Sequence, residues 1–120
     1  MTVGRQLRIA IVGPCASGKT VLAEGLRALG YEAHECAQEH SGAPAMWQRT
    51  THPDILIYLD ATLPTIAQRR QIDWGEEYLA ELRRRLRHAR QNCHLYIPTD
   101  GLTPEEILEQ VLDFLRQWGR

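Results

Sequence analysis

Lysine is nearly absent from this 120-residue chain: of fourteen basic residues thirteen are arginine, and only Lys19 is lysine. Cysteine occurs three times, at Cys15, Cys36 and Cys93, an odd number with no metal-type spacing. That excludes a disulfide framework and reads as reduced thiols, so a cytoplasmic location is expected. No apolar run approaches the roughly 20 residues that span a bilayer, and the N-terminus has no signal-peptide pattern. A net charge of −1 gives no excess of either sign, so neither nucleic acid nor a membrane surface is an expected partner. Repeats, low-complexity tracts and linkers are also missing. A chain of this length buries roughly two-thirds of its unfolded surface, and residues 1–120 are expected to form one domain.

What is present is concentrated early. Gly13-Pro14-Cys15-Ala16-Ser17-Gly18-Lys19-Thr20 matches G-x-x-x-x-G-K-[ST], the phosphate-cradling Walker A or P-loop motif. The glycines let the backbone fold tightly enough to aim successive N–H groups at one anion. Lys19 supplies a mobile charge for the β- and γ-phosphates, which the planar fork of arginine does not replace, and the Thr20 hydroxyl is placed to ligate Mg²⁺. The β-branched run Leu7–Val12 precedes the motif as a strand. Val21–Leu29 follows as a helix with Leu22, Leu26 and Leu29 on one face and Gly30 as its stop. The expected nucleotide-contacting residues are Gly13 through Thr20 together with Val21. Lys19 is expected to face solvent when no ligand is bound.

The remaining chain alternates strands and helices. Tyr31–Cys36 reads as a weakly apolar edge strand parallel to the first. Residues 37–53 are rich in Gly, Pro and polar side chains and read as a loop with one helical turn from Pro44 to Arg49. This loop leaves the carboxyl edge of a strand, where open α/β sheets bind ligands. Met46 and Trp47 are therefore weighed as substrate contacts against the commoner role of capping the core. Glu35, Glu39 and His40 are candidates for a general base. Asp54–Asp60 is the most apolar strand, with Asp60 at its carboxyl end as a candidate Mg²⁺ ligand opposite Thr20, or else a turn or N-cap aspartate.

Thr62–Arg70 opens as a helix with an N-cap threonine and an early proline. A second helix is expected from Glu76 to about Gln91, burying Leu79, Leu82, Leu86 and Ala89. Region 61–93 holds seven arginines against four acids, read mostly as a solvated face. His94–Pro98 is a short last strand. Thr103-Pro104-Glu105-Glu106 is a capping box that opens a helix running to about Trp118, with Ile107, Leu108, Val111, Leu115 and Trp118 inward. The whole implies an α/β fold, a three-layer arrangement of about four parallel strands flanked by helices.

The stretches Gly13–Thr20, Asp54–Arg70 and Tyr96–Val111 resemble the P-loop kinases of small molecules, in particular the nucleoside and nucleotide kinase (thymidylate-kinase-like) branch, in minimal form. The resemblance implies ATP, or another nucleoside triphosphate, with Mg²⁺, and transfer of the γ-phosphoryl group to a small-molecule acceptor. It implies that Lys19 stabilises the transferring group, that Arg69 and Arg70 neutralise charge in the transition state, and that the Thr99–Leu102 turn lies near the adenine. The absence of an Asn/Thr-Lys-x-Asp pattern favours ATP over GTP. The chain departs from the family in length: residues 37–53 stand where larger kinases insert acceptor-binding helices and another strand. The alternatives are therefore a nucleotide-binding regulatory module or slow NTPase without an acceptor, and a relic whose loop binds nothing. Oligomeric state is open.

Overall fold

Alternation along the strands splits the apolar residues between two faces of one sheet. The computed structural model describes residues 7–118; the polar lead-in expected over residues 1–6 lies outside the described residues. Strands β1 (Arg8–Val12), β2 (Glu32–Glu35), β3 (Ile55–Asp60) and β4 (Leu95–Pro98) pair in the order β2-β1-β3-β4, every neighbouring pair parallel. The chain is thus an α/β domain with a four-stranded parallel sheet flanked by helices.

On one face Ile9, Ile11, Ile55, Ile57, Leu59 and Ile97 pack against Leu22, Ala23 and Leu26 of α1 (Lys19–Ala28) and against Ile107, Val111 and Leu115 of α6 (Pro104–Gln117). On the other face Ala10, Val12, Leu56 and Tyr58 meet Trp47 of α2 (Met46–Thr51), Leu86, and Ala89 of α5 (Arg87–Asn92). The β3 run is covered on both sides, as its continuous apolar composition requires. In β2 only Ala33 is buried, which fits an edge strand. The remaining helices are α3 (Leu63–Arg69) and α4 (Glu76–Arg85). The capping box at Thr103 and Glu106 forms with both of its hydrogen bonds. Trp118, expected inward, is instead 38% exposed, and its ring lies beside His94 and Phe114 at the end of α6. Among the described residues no helix is long and apolar enough to cross a membrane.

Two departures from the sequence reading share one cause. Residues 37–53 are more ordered than a loop with a single turn: a 3-10 turn at Gln38–His40 leads to α2. The helix expected over residues 76–91 is broken at Leu86, although no glycine or proline lies there. Gln38, with none of its surface exposed, connects both. Its Oε1 accepts from the Trp47 N–H at 2.8 Å, and its Nε2 donates to the Ala43 carbonyl at 2.8 Å and to the Arg85 carbonyl at 3.3 Å. A side chain that takes a carbonyl from the helical ladder breaks the helix at that turn. Leu82, Leu86 and Ala89 stay buried across the break, as the spacing of an unbroken helix implies.

Gln38→Ala leaves the Trp47 N–H without its partner inside the protein and strips the Ala43 carbonyl of the shorter of its two hydrogen bonds, the Met46 N–H remaining at 3.2 Å. It is expected to lower stability by on the order of 2 kcal/mol or more, read from the urea midpoint. A change within a few tenths of a kcal/mol would remove Gln38 from this role.

Candidate functional site

The Gly13–Gly18 connection runs from β1 to α1 at the carboxyl edge of the sheet. Its backbone could not be built without glycine at Gly13: φ is 152°, and an added Cβ would stand 2.0 Å from the Leu59 carbonyl oxygen. Gly18, the N-cap of α1, has φ 108°, and no side chain caps this helix. Ala16 also takes a left-handed conformation, φ 59°, which a non-glycine residue adopts only when its surroundings enforce it. Left-handed residues interleaved in a short loop turn consecutive N–H groups toward one concavity, the backbone geometry of anion-binding nests. The Ser17 hydroxyl is buried here without a hydrogen-bond partner.

Lys19 does not face solvent. It is 8% exposed, and its ammonium donates to the Gly13 carbonyl at 2.6 Å and to Glu39 Oε2. The physical reason is that a buried ammonium must find acceptors, and the 3-10 turn after β2 presents a carboxylate 5% exposed. The second oxygen of that carboxylate, Glu39 Oε1, is buried with no hydrogen-bond partner. The Thr20 hydroxyl donates to Glu35 Oε1 at 3.0 Å, at the end of β2. Cys15, Gly18, Lys19, Thr20, Glu35, Glu39, His40, Arg69 and Arg70 line one open pocket of about 330 Å³.

Asp60 belongs to a different cluster. Its Oδ1 accepts from the Ala61 N–H at 2.9 Å and from Arg83 at 3.2 Å, and its Oδ2 accepts from the Tyr96 hydroxyl at 2.8 Å. The carboxylate expected opposite Thr20 is thus committed to α4 and β4, and Glu35 occupies the position beside Thr20. The Arg90 guanidinium lies 3.8 Å from the centre of the Tyr96 ring. Burial, with Asp60 beside it, pushes the Tyr96 phenol up, and does so more strongly for Tyr58. The arginine face of residues 83–90 is therefore only partly a solvated one. Arg84 and Arg85 pair with Glu81 as a helix face would, whereas Arg83 and Arg90 pack onto the sheet edge.

The two lid arginines diverge. Arg69 is anchored, donating to the Ala16 carbonyl at 2.9 Å, to Thr99 Oγ1 at 2.9 Å and to the Thr99 carbonyl at 2.6 Å. The fully buried Thr99 hydroxyl shares its one proton between Ser17 O at 2.9 Å and Asp60 O at 3.0 Å, and the Thr99 N–H donates to Asp60 O, so the end of β4, the Gly13–Thr20 loop and β3 are latched together. Arg70, one residue on, is exposed at the pocket mouth. On the far side of α1's start lies an apolar hollow of about 300 Å³, lined by Val21, Leu22, Arg69, Leu102, Pro104 and Ile107. Trp47 is core, 5% exposed, with its Nε1 donating to His88 Nδ1 at 3.1 Å, so it takes the commoner of its two readings.

Sequence reasoning did not pair Lys19 with Glu39 or find Thr99. A separation of 20 positions puts the first pair beyond any helical or strand spacing, and Thr99 reads from sequence only as part of the turn placed near the adenine, not as a tie between β3, β4 and the loop. The one available signal was that Glu39 and His40 leave a strand on the same edge as the motif. Comparison with protein-family models and with curated proteins finds no match for the chain.

Two measurements test this arrangement. Lys19→Met strands a buried carboxylate and Glu39→Gln a buried ammonium, each at an expected cost on the order of 3–5 kcal/mol. The double substitution should cost clearly less than the sum, and additive urea midpoints would mean that the pair is not coupled. Asp100 anchors the start of α3. The Thr65 hydroxyl, then the Thr62 N–H and hydroxyl, hold its carboxyl down to about 2 from 3.8. A depressed carboxyl contributes stability above its unfolded value and loses it as pH falls through the folded one. The stability difference between wild type and Asp100→Asn should therefore be constant above about pH 5 and vanish toward pH 2. A difference unchanged at pH 2 would contradict that anchor.

Proposed function

We propose that this chain binds a nucleoside triphosphate, ATP in preference to GTP, with its phosphates on the Gly13–Thr20 loop, and transfers the γ-phosphoryl group to a small hydroxyl-bearing acceptor. The observation that carries the reading is the loop itself. A glycine enforced by the Leu59 carbonyl, left-handed turns at Ala16 and Gly18, and an uncapped helix end form a cradle for an anion beside the chain's single lysine. The apolar hollow between Val21, Leu102 and Pro104 has the chemistry for a base, with the immobilised Arg69 guanidinium as a flat wall. It includes Leu102, from the turn that the kinase resemblance associates with adenine.

The site residues also fit the divalent ion that such a reaction uses. Thr20 Oγ1 and Glu35 Oε1 are hard oxygen donors side by side, the type Mg²⁺ prefers. When bound, Mg²⁺ would neutralise phosphate charge and orient the phosphate oxygens. The chain's own residues do the rest. Lys19 exchanges Gly13 O and Glu39 for phosphate oxygens, and Arg70 at the mouth adds positive charge where the transferring group emerges. Glu39, released from Lys19, and His40 beside it face the same pocket and accept the proton of the incoming hydroxyl. In such transfers positioning and electrostatics dominate, so a short acceptor segment does not by itself exclude catalysis.

A second reading is favoured by one observation, the Lys19–Glu39 pair. Phosphate binding must break it, which loosens residues 37–53 from the loop, so the chain could respond to nucleotide as a switch or slow NTPase without an acceptor.

Millimolar Mg-ATP is expected to raise the melting temperature, and Mg-GTP to raise it less. Lys19→Met should abolish the rise, and Thr20→Ala, a change at an exposed hydroxyl, should diminish it. No shift with either nucleotide would overturn nucleotide binding. With binding in hand, a screen of nucleosides and small hydroxyl compounds for ATP-dependent phosphorylation separates the two readings. Turnover of an acceptor supports transfer. Slow hydrolysis alone, with protease sensitivity appearing at residues 37–53, supports the switch.

A further inference from the structure

The pocket contains a second constellation, which shares Glu39 and His40 with the proton-accepting role proposed above. Cys15, on the Gly13–Thr20 loop, brings its Sγ to 3.8 Å from His40 Nε2, and that nitrogen lies 3.7 Å from Glu39 Oε2. One ligand atom from each of Cys15, Glu39 and His40 lies within 4.8 Å of the other two. A tetrahedral Zn²⁺, with bonds of about 2.0–2.3 Å, sets its ligand atoms about 3.3–3.6 Å apart, so small side-chain rotations close the set. Cys15 and His40 are both partly exposed and free to make them. An independent observation points the same way. Glu39 is 4% exposed, Lys19 occupies its Oε2, and its Oε1 is buried without any hydrogen-bond partner. A carboxylate oxygen left in that state is costly unless a cation or donor meets it.

We propose that Cys15, Glu39 and His40 bind one Zn²⁺ at the mouth of the Gly13–Thr20 loop. The thiolate offsets one charge of the ion, and the Glu39 carboxylate is shared between the ion and the Lys19 ammonium. The soft sulfur and the imidazole select Zn²⁺ over Mg²⁺, which keeps to the oxygen donors Thr20 and Glu35. Three protein ligands leave a fourth position open toward the pocket, the pattern of a reactive rather than a closed structural zinc site; water or a phosphate oxygen fills it. Binding deprotonates Cys15, the proton passing to solvent, so affinity rises with pH. The ion joins the loop to the 3-10 turn, two segments held together in its absence by Lys19 and Glu39. The readout needs no nucleotide, so this proposal and the nucleotide reading fail separately; Glu39 and His40 do not hold the ion and accept a proton at once.

The test is a Co²⁺ titration of the metal-free chain in reducing buffer without nucleotide. One equivalent should produce thiolate-to-cobalt charge-transfer absorption that Zn²⁺ abolishes and millimolar Mg²⁺ leaves intact. Cys93→Ser should keep the band, Cys15→Ser should lose it, and His40→Ala should weaken Co²⁺ binding at least tenfold. Both ligand variants alter partly exposed side chains, and circular dichroism checks that they stay folded. Absence of the band in wild type, its survival in Cys15→Ser, or unchanged affinity in His40→Ala would overturn the proposal.

Discussion

The carboxyl edge of this protein is organised by one buried ion pair. Lys19 is the only lysine in the chain, and it is buried at the first residue of α1. An ammonium withdrawn from water carries a penalty of several kcal/mol, so it requires a carboxylate held in place rather than a mobile one. Glu39 meets that requirement only because the segment after β2 is rigid. Gln38, its neighbour, is locked to α2 on one side and to the break between α4 and α5 on the other. Arg85 adds a hydrogen bond to the Glu39 carbonyl. A short polar segment thereby becomes a wall of the site.

That coupling shapes the functional proposal. An anion on the loop must compete with Glu39 for Lys19, so binding and the conformation of residues 37–53 are thermodynamically linked. A single segment, residues 37–53, both holds Lys19 and lines the pocket. The same residues would carry the proton acceptor for transfer and the ligands for a zinc ion.

Charge along the edge is divided between two carboxylates with different partners. Glu35 is beside Thr20, where oxygen donors converge. Asp60 is held by Arg83 and by Tyr96, which itself lies under Arg90. The arginines of α4 and α5 therefore stabilise the end of β3 and β4, and Thr99 ties that end to the loop. Arg69, hydrogen-bonded to Thr99, and Arg70 both line the pocket at the loop.

Much of this molecule was legible without coordinates. The apolar run at residues 55–59, the Leu22 and Leu26 spacing of α1 and the Thr103 capping box are local patterns, whereas Leu29, expected on the same face, caps the helix and is 56% exposed. Local geometry and burial decide them, so the parallel sheet and its flanking helices followed. The Gly13–Thr20 motif was legible for the same reason: its glycines answer to φ values and to a close carbonyl within one turn. What sequence could not reach were pairings across the carboxyl edge. Helix continuity at Leu86 was lost to a side chain 47 residues away from the carbonyl it takes. The partners of Lys19, Asp60 and Cys15 were chosen by which loops the parallel crossovers bring to one end of the sheet. Sequence alone determined the strands, most of the helices and the left-handed backbone of the loop after β1. Only tertiary structure decided which carboxylate attends which cation, because those choices depend on desolvation and on contacts between segments remote along the chain.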